Sequence, residues 1–140
     1  MKAMLPGNDP FLGQMERALD VMTRRQGLLA SNVGNIDTPR YKTVDIDFKS
    51  ALQQAVNAED DPLELRRNQP GHLAADSTER LDRLVEKVRG LSVRNDGNNV
   101  ALDREMLAVS ETAGRYETTA AILRSKLRQL VYAVSDGRSG

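Results

Sequence analysis

The sequence predicts a mainly α-helical protein in which two long terminal helices pair as an antiparallel, coiled-coil-like hairpin, with a small irregular region in the middle. Apolar residues recur at spacings of three and four near both ends of the chain, which is typical of helices that pack along a seam. Aromatic residues make up only 4% of the 140 residues, and apolar residues 39%. Because aromatic side chains supply much of the area buried in compact cores, a large globular core is not expected.

The pattern divides the chain into five segments. Residues 1–10 are expected to be a disordered N-terminus, and residues 11–48 to form the N-terminal helix and a corner that follows it. Residues 49–100 form a variable middle segment, residues 101–136 the C-terminal helix, and residues 137–140 a tail. The two helical segments carry the apolar seams, so they are predicted to pair with each other.

The first long helix is predicted over residues 11–36, a length of about 39 Å. Asp9 has the residue type of an N-cap, and Pro10 suits the first helical position. Thr38-Pro39 is expected to end the helix, because the residue before a proline avoids the α region. The predicted seam consists of Leu12, Met15, Leu19, Met22, Leu29, Val33 and Ile36.

Two short helices are predicted in the middle segment, over residues 51–58 and 76–90. In the second, Asp76 and Glu79 match a capping box, and the apolar residues share one face. The dipeptide Asp96-Gly97 is a turn signal that is compatible with a short β-hairpin. All of these elements are short, so the middle segment is expected to be small and irregular.

The second long helix keeps its apolar spacing from Leu102 to Val134 without interruption and is predicted to be about 50 Å long. Gly137 is expected to act as its C-cap. The predicted seam consists of Leu102, Met106, Val109, Ala113, Tyr116, Ala120, Leu123, Leu127, Leu130 and Val134.

Three glycines, Gly27, Gly34 and Gly114, lie inside the predicted long helices. A glycine in a helix costs about 1 kcal/mol relative to alanine. Two interpretations stay open: the glycines are tolerated at exposed positions, or they allow another helix to approach closely.

Some apolar residues of the long helices lie outside the two seams. A two-helix hairpin would leave these side chains in water, so we expect them to pack against neighbouring subunits. They are Val21, Leu28, Leu107, Ala121, Ile122, Val131 and Tyr132.

Composition excludes several classes of function. Twenty basic and twenty acidic residues cancel, so no overall charge attracts nucleic acid or an anionic membrane. The chain has no cysteine, which excludes disulfides, thiol catalysis and cysteine-based zinc sites. The arginine doublets Arg24-Arg25 and Arg66-Arg67 have no interleaved aromatics and are expected on exposed faces. No apolar run is long enough to span a membrane, and the N-terminus has no apolar core of a cleaved signal peptide.

Candidate chemistry is sparse. His72 is the single histidine, and a zinc site needs several nitrogen or sulfur ligands. Asp45 and Asp47 alternate with apolar residues, so we expect them on the wet face of a half-buried extended segment. The acidic run at residues 59–61 is expected to be solvated, although it also has the residue types that bind cations. We expect no catalytic residue, cofactor or metal site.

A stretch from the end of the first helix, "ASNVGNIDTPRYKTVDIDF" (residues 30–48), resembles a signature of bacterial flagellar axial proteins. The "DIDF" at 45–48, the "HL" at 72–73 and the "DGNNVALDREM" at 96–106 are similar to the proximal members of the flagellar basal-body rod protein family. Arg40 stands where that family usually has glycine, which implies a type I turn or a left-handed residue. Gly34 stands where it usually has alanine. The matching corner residues are Asn32, Asn35, Thr38, Pro39, Tyr41 and Lys42.

This resemblance implies a structural subunit of the flagellar rod, which transmits torque and forms part of the export channel. It implies a periplasmic location after export without signal cleavage, with the paired terminal helices forming the rod core. The implied partners are other rod proteins, the adaptor between rod and MS ring, the MS ring, the export gate and further copies of the chain. No enzyme activity, small-molecule substrate or nucleic acid is implied.

Two alternatives belong to other classes of protein. One is a soluble helical-hairpin adaptor or chaperone outside the filament, which would have no need of the Asn-Thr-Pro corner. The other is an enzyme that uses Asp45, Asp47 or His72.

Overall fold

The computed structural model describes residues 9–57 and 81–136. These residues form the helices α1 (Pro10–Gly34), α2 (Phe48–Asn57) and α3 (Leu102–Asp136), and the strands β1 (Val44–Ile46) and β2 (Val85–Lys87). The predicted mainly helical fold with two long terminal helices is confirmed. Predictions for His72, the acidic run, Arg66-Arg67, the capping box and Gly137 lie outside the described residues.

The helices α1 and α3 run antiparallel to each other. Near one end of the pair, the Gln26 side chain donates to the Val109 carbonyl at 3.2 Å. Near the other, the Lys126 ammonium lies 3.6 Å from the Asp9 carboxylate. At 1.5 Å per residue, α1 is about 37 Å long and α3 about 52 Å long, so the last residues of α3 extend beyond the start of α1. Neither helix has an apolar stretch that would cross a lipid bilayer.

The start of α1 was predicted correctly, whereas the helix ends a few residues earlier than predicted. Asp9 is the N-cap, as expected, and accepts a hydrogen bond from the Phe11 amide at 3.0 Å. The helix ends at Gly34, before the Thr38-Pro39 step that was predicted to end it. The chain leaves the helix at Asn35, whose backbone amide donates to the Ser31 carbonyl at 3.1 Å and whose side-chain amide donates to the same carbonyl at 2.8 Å.

The apolar core lies where α2 and the strands pack on α1. Its buried residues are Val21, Leu28, Ile46 and Ala51. The expectation that Val21 and Leu28 pack against neighbouring subunits is therefore wrong. The two-helix hairpin from which it followed left out α2, which covers this side of α1. Within the described ranges, the cluster includes no residue of α3.

The predicted helix over residues 76–90 is wrong at its C-terminal part. Val85–Lys87 is the strand β2, and it pairs antiparallel with β1, with Val44 opposite Lys87 and Ile46 opposite Val85. The β-branched Val85 suits a strand, and its side chain packs against the apolar core. Local helical periodicity was overridden by this pairing with a distant segment.

The turn at Asp96-Gly97 does not connect the two strands. Gly97 has a positive φ of 82° and its amide donates to the Arg94 carbonyl at 2.8 Å, which closes a tight turn. However, this turn follows β2, whereas α2 and the residues after it lie between β1 and β2. The strands therefore form a two-stranded sheet but not a local hairpin.

The face of α3 that packs on α1 differs from the predicted seam. Its two most buried side chains are polar, Glu105 and Thr112. The α1 side chains opposite them form hydrogen bonds with them, so polar contacts contribute to the pairing of α1 and α3. Half-buried seam residues are Val109, Ala113, Ala120, Leu123 and Leu130. Exposed seam residues are Leu102, Met106, Tyr116, Leu127 and Val134.

Candidate functional site

The corner after α1 is centred on Asn32, whose side chain is fully buried. Its amide nitrogen donates to the Val44 carbonyl at 2.7 Å and to Glu105 Oε2 at 2.9 Å. Its amide oxygen accepts from the Val44 amide and from the Tyr41 hydroxyl, both at 3.1 Å. One asparagine therefore joins α1, the corner, β1 and α3.

Asn35 and Thr38 shape the first half of the corner. The Asn35 side chain holds the last turn of α1, and its oxygen accepts from the Thr38 hydroxyl at 3.0 Å. The Tyr41 amide then donates to the Thr38 carbonyl at 3.3 Å across Pro39, which is exposed. Short polar side chains of this kind stabilise turns by bonding nearby backbone groups.

Arg40 adopts the left-handed conformation, with φ at 62°. Of the two conformations implied for it, this one is observed. The Arg40 amide donates to the Asp96 carbonyl at 3.0 Å. A Cβ added at Gly97 would lie 3.5 Å from the Arg40 Cα, so the two loops approach each other closely at this point.

Asn98 holds the corner from the opposite loop. Its side chain is fully buried, and its amide nitrogen lies within hydrogen-bond distance of three carbonyl oxygens. These belong to Asn35 at 2.9 Å, Ile36 at 3.1 Å and Thr38 at 2.8 Å. A residue about sixty positions away thus adds hydrogen bonds to the backbone carbonyls of the corner that follows α1.

Asn99 bonds the second half of the corner. Its side-chain oxygen accepts from the Thr43 amide at 2.7 Å, and its own amide donates to the Tyr41 carbonyl at 3.3 Å. The Lys42 ammonium reaches across to the Gly97 carbonyl at 2.6 Å. We call these bonds, between residues 31–45 and residues 94–105, the corner network.

Arg25 extends the network along α1. Its guanidinium makes a two-point ion pair with the Asp45 carboxylate, at 3.1 and 2.9 Å, and donates to the Thr112 hydroxyl at 3.3 Å. It also lies over the Phe48 ring, 4.8 Å from the centroid. The Arg25 and Asp45 side chains are 15% and 13% exposed. The expectations that Arg25 lies on an exposed face and Asp45 on a wet face are therefore wrong, because each is the partner of the other.

Asp47 has a different role from Asp45. It lies directly before α2, and its carboxylate accepts from the Ser50 amide at 3.1 Å and the Ser50 hydroxyl at 2.7 Å. These two bonds, the hydroxyl first, hold the pKa of Asp47 below its usual value. Neither aspartate is arranged for acid–base chemistry. Within residues 9–57 and 81–136, no cluster of three metal-ligating side chains occurs.

The three helix glycines have open surroundings within the described chain. A Cβ added at Gly27, Gly34 or Gly114 would meet no heavy atom within 4 Å. No helix within residues 9–57 and 81–136 approaches them closely, and close approach by another subunit stays a prediction. The predicted seam residues of α1 are buried or half-buried: Leu12, Met15, Leu19, Met22, Leu29, Val33 and Ile36.

Sequence reasoning missed Asn98, Asn99, Glu105 and Thr43 as members of the network. For Asn98 and Asn99 the sequence did contain a weak indication, since consecutive asparagines after an Asp-Gly turn can form several side-chain hydrogen bonds. Glu105 had no local signal, because an acidic residue in the first turn of a helix is ordinarily explained by the helix dipole.

Several known proteins of one family are similar to this chain over most of its length. No protein-family model matches the chain. The chain is 30% identical over 139 residues to the flagellar basal body rod protein FlgB of Salmonella typhimurium, covering 96% of this chain and 99% of the relative. It is 32% identical over 123 residues to FlgB of Cereibacter sphaeroides, covering 88% and 92%. It is also 28% identical to FlgB of Escherichia coli over 141 residues, covering 96% and 99%. The chain therefore belongs to the FlgB family of flagellar basal body rod proteins.

Proposed function

We propose that the chain is a structural subunit of the proximal part of the flagellar rod, where it transmits torque and lines part of the export channel. The observation that carries this proposal is the near full-length similarity to FlgB proteins. The corner network supports it, because the network joins residues 31–45 to residues 94–105, and both segments overlap stretches that resemble the flagellar rod proteins.

The mechanical argument starts from the long helices. A shaft that transmits torque needs subunits with long, staggered contacts, and helices of about 37 and 52 Å with several exposed apolar side chains provide them. The corner network fixes how these helices sit against each other. Buried side-chain bonds such as Asn32 to Glu105 have few alternative arrangements, so the subunit resists twisting at the corner.

The finer partners and location follow from the same proposal. We expect association with the other rod proteins, with further copies of the chain, with the adaptor to the MS ring, with the MS ring and with the export gate. We expect the assembled subunit to lie in the periplasm.

A catalytic role is not part of the proposal. Asp45 is engaged by Arg25 and Asp47 by Ser50, so neither carboxylate has the environment of a general acid or base. No observation favours the alternative of a soluble adaptor or chaperone.

A deletion strain tests the proposal. Cells that lack the gene are expected to be non-motile and to lack assembled rods in electron micrographs, and the wild-type gene should restore both. Complementation with a variant in which Asp45, Asp47 and His72 are all alanine tests the enzyme alternative, which predicts that this variant fails to restore motility. Loss of Asp45 also removes the ion pair with Arg25, so a failure of the triple variant has a structural cause as well. In that case the double variant with Asp47→Ala and His72→Ala should restore motility. A deletion strain with normal rods would contradict the proposal.

A further inference from the structure

Arg40 lies at the exposed end of the corner, in a backbone conformation that arginine rarely adopts. Its φ of 62° is in the left-handed region, where a residue with a Cβ is strained and glycine is not. The Arg40 backbone amide donates to the Asp96 carbonyl at 3.0 Å, and a glycine at position 40 could make the same bond. The backbone of the corner therefore does not require an arginine side chain here.

The first atoms of the Arg40 side chain are held in place by the opposite loop. A Cβ added at Gly97 would lie 3.4 Å from the Arg40 Cγ and 3.8 Å from the Arg40 Cβ, so these atoms pack against Gly97. The guanidinium is therefore carried by a side chain whose first part is already fixed. This arrangement lowers the conformational entropy that the guanidinium would lose on binding another group.

Within the part of the chain that the structure describes, the Arg40 guanidinium has no hydrogen bond and no ion pair. The neighbouring cations are both engaged. The Lys42 ammonium donates to a backbone carbonyl at 2.6 Å, and the Arg94 guanidinium donates to another backbone carbonyl. Arg40 thus presents an exposed cation that the fold of the single chain does not use.

Two carboxylates of the same chain lie close to Arg40, one in sequence and one in space. Asp37 is exposed three positions before it, and the Asp96 carboxylate lies 3.8 Å from the Arg94 guanidinium. Neither of them binds Arg40. Because a guanidinium binds a carboxylate through two parallel hydrogen bonds, a carboxylate of another molecule is the group that fits Arg40.

We propose that the Arg40 guanidinium binds a carboxylate of an adjoining subunit in the assembled rod. The inference rests on the proposed function and adds to it a specific contact between subunits. Backbone strain of this kind is concentrated at functional positions, which fits an arginine whose guanidinium has no role inside the chain. The adjoining subunit is a second copy of the chain or another rod protein, and the carboxylate is the chemistry that both share.

Competition between two copies of the chain tests the role of the side chain. The deletion strain expresses a wild-type copy and a variant copy with different tags, and the ratio of the two in purified basal bodies is divided by their ratio in whole cells. Asparagine tolerates the left-handed conformation, so Arg40→Asn removes the guanidinium without new strain. We expect Arg40→Asn to be depleted from basal bodies by about tenfold, and Arg40→Lys, which keeps the charge, to be depleted less.

Two further variants separate the lost contact from other causes. Arg40→Gly removes the strain together with the guanidinium, so it should unfold at a temperature close to that of the wild type and still be depleted as strongly as Arg40→Asn. Arg89→Asn is the matched control, because Arg89 is exposed and has an ordinary backbone conformation, and it should enter basal bodies in proportion. Equal depletion of Arg89→Asn would overturn the proposal, since any lost surface charge would then have the same effect.

Carbodiimide cross-linking of basal bodies identifies the carboxylate. The reagent joins an amine to a contacting carboxylate with loss of water, so it acts on Arg40→Lys at this position, whereas the wild-type arginine is the unreactive control. Mass spectrometry of the peptide that contains position 40 should show a link to another rod protein or, between differently tagged copies, to a second copy. A link only within one copy, to Asp37 or Asp96, or no link at position 40, overturns the proposal.

Failure of this contact can be distinguished from failure of the proposed function. If the wild-type copy is recovered in basal bodies and Arg40→Asn enters them equally well, the contact is overturned while the rod role stands. If motile cells have basal bodies that contain neither copy, the proposed function itself is contradicted.

Discussion

Asn32 and Glu105 are 73 positions apart in the sequence, and the Asn32 amide nitrogen lies 2.9 Å from the Glu105 carboxylate. Both side chains are buried, Asn32 fully and Glu105 to 1% exposure. This bond couples the end of the first long helix to the beginning of the second.

Replacing Asn32 with alanine should lower the free energy of unfolding by about 2–3 kcal/mol. The change removes the bonds of Asn32 to the Val44 amide and carbonyl, and it leaves the buried Glu105 carboxylate with only the Arg104 ion pair at 3.7 Å. Glu105→Gln should cost less, since a side-chain oxygen remains to accept the bond. Asn35→Ala is the matched control, because its bonds are local, and should cost about 1 kcal/mol or less. Urea denaturation followed by circular dichroism measures all three. Equal stabilities for the Asn32 and Asn35 variants would argue against a central role for Asn32.

Adjacent arginines should differ in their contribution to stability. Arg25→Ala leaves the half-buried Asp45 without its cation and removes the Thr112 bond, so we expect a loss of about 2–4 kcal/mol. Arg24 pairs with Asp82, and these side chains are 34% and 48% exposed. Arg24→Ala should therefore cost about 1 kcal/mol or less. Thermal unfolding of the two variants under the same conditions gives the comparison, and a larger loss for Arg24→Ala would contradict the burial argument.

The close approach of Arg40 and Gly97 predicts that substitutions at the two positions differ in their effect on stability. Gly97→Ala forces a side chain into positive φ beside the Arg40 backbone and should destabilise by about 1–2 kcal/mol. Arg40→Gly removes the strain of an arginine in the left-handed conformation, which stabilises the folded state. Glycine also raises the conformational entropy of the unfolded chain, which opposes this gain. We therefore expect the free energy of unfolding to change by no more than about 1 kcal/mol. Denaturant midpoints of the two variants measure this. A Gly97→Ala variant as stable as the wild type would show that the loops do not need this approach.

The hydrogen bonds from Ser50 to the Asp47 carboxylate, at the start of α2, should lower the pKa of Asp47 in a pH titration. Because the Ser50 hydroxyl and amide bind the charged form of Asp47, its pKa is lowered in the folded protein. A lowered pKa means that this contribution to stability is present above the unfolded pKa of Asp and is lost as pH falls through the folded value. The carboxyl carbon shift of Asp47, followed by NMR, should titrate below that of a free aspartate. Ser50→Ala should move the pKa upward, and an unchanged value would rule out the hydroxyl as the main cause.

The isolated protein is expected to be less helical in solution than the assembled subunit, with loosening greatest in the C-terminal half of α3. The core cluster in the described residues contains α1, α2 and the strands but no α3 residue, so α3 has less apolar burial to hold it. Hydrogen exchange should be faster in residues 119–135 than in residues 21–32. Uniform protection along both helices would contradict this.

The sequence was informative where the signal is local. The long helices follow from apolar spacing, the N-cap from Asp9-Pro10, and the corner from Asn35 and Thr38, because each depends on neighbours in the chain. Val21 and Leu28 were expected at a subunit contact because only the two long helices were considered. In the structure they pack against residues of α2 and β1. Arg25, Asp45 and Glu105 were missed because their partners lie far away in sequence, and no spacing rule connects them.

The most direct test of the account is to measure whether the chain is present in purified flagellar basal bodies. A tagged copy that restores motility to the deletion strain is followed by quantitative mass spectrometry through purification of the rod with its rings. The account predicts that the chain remains with the rod fraction in a fixed ratio to the other rod proteins. Recovery of the functional tagged chain only in soluble fractions, with basal bodies that lack it, would contradict the account.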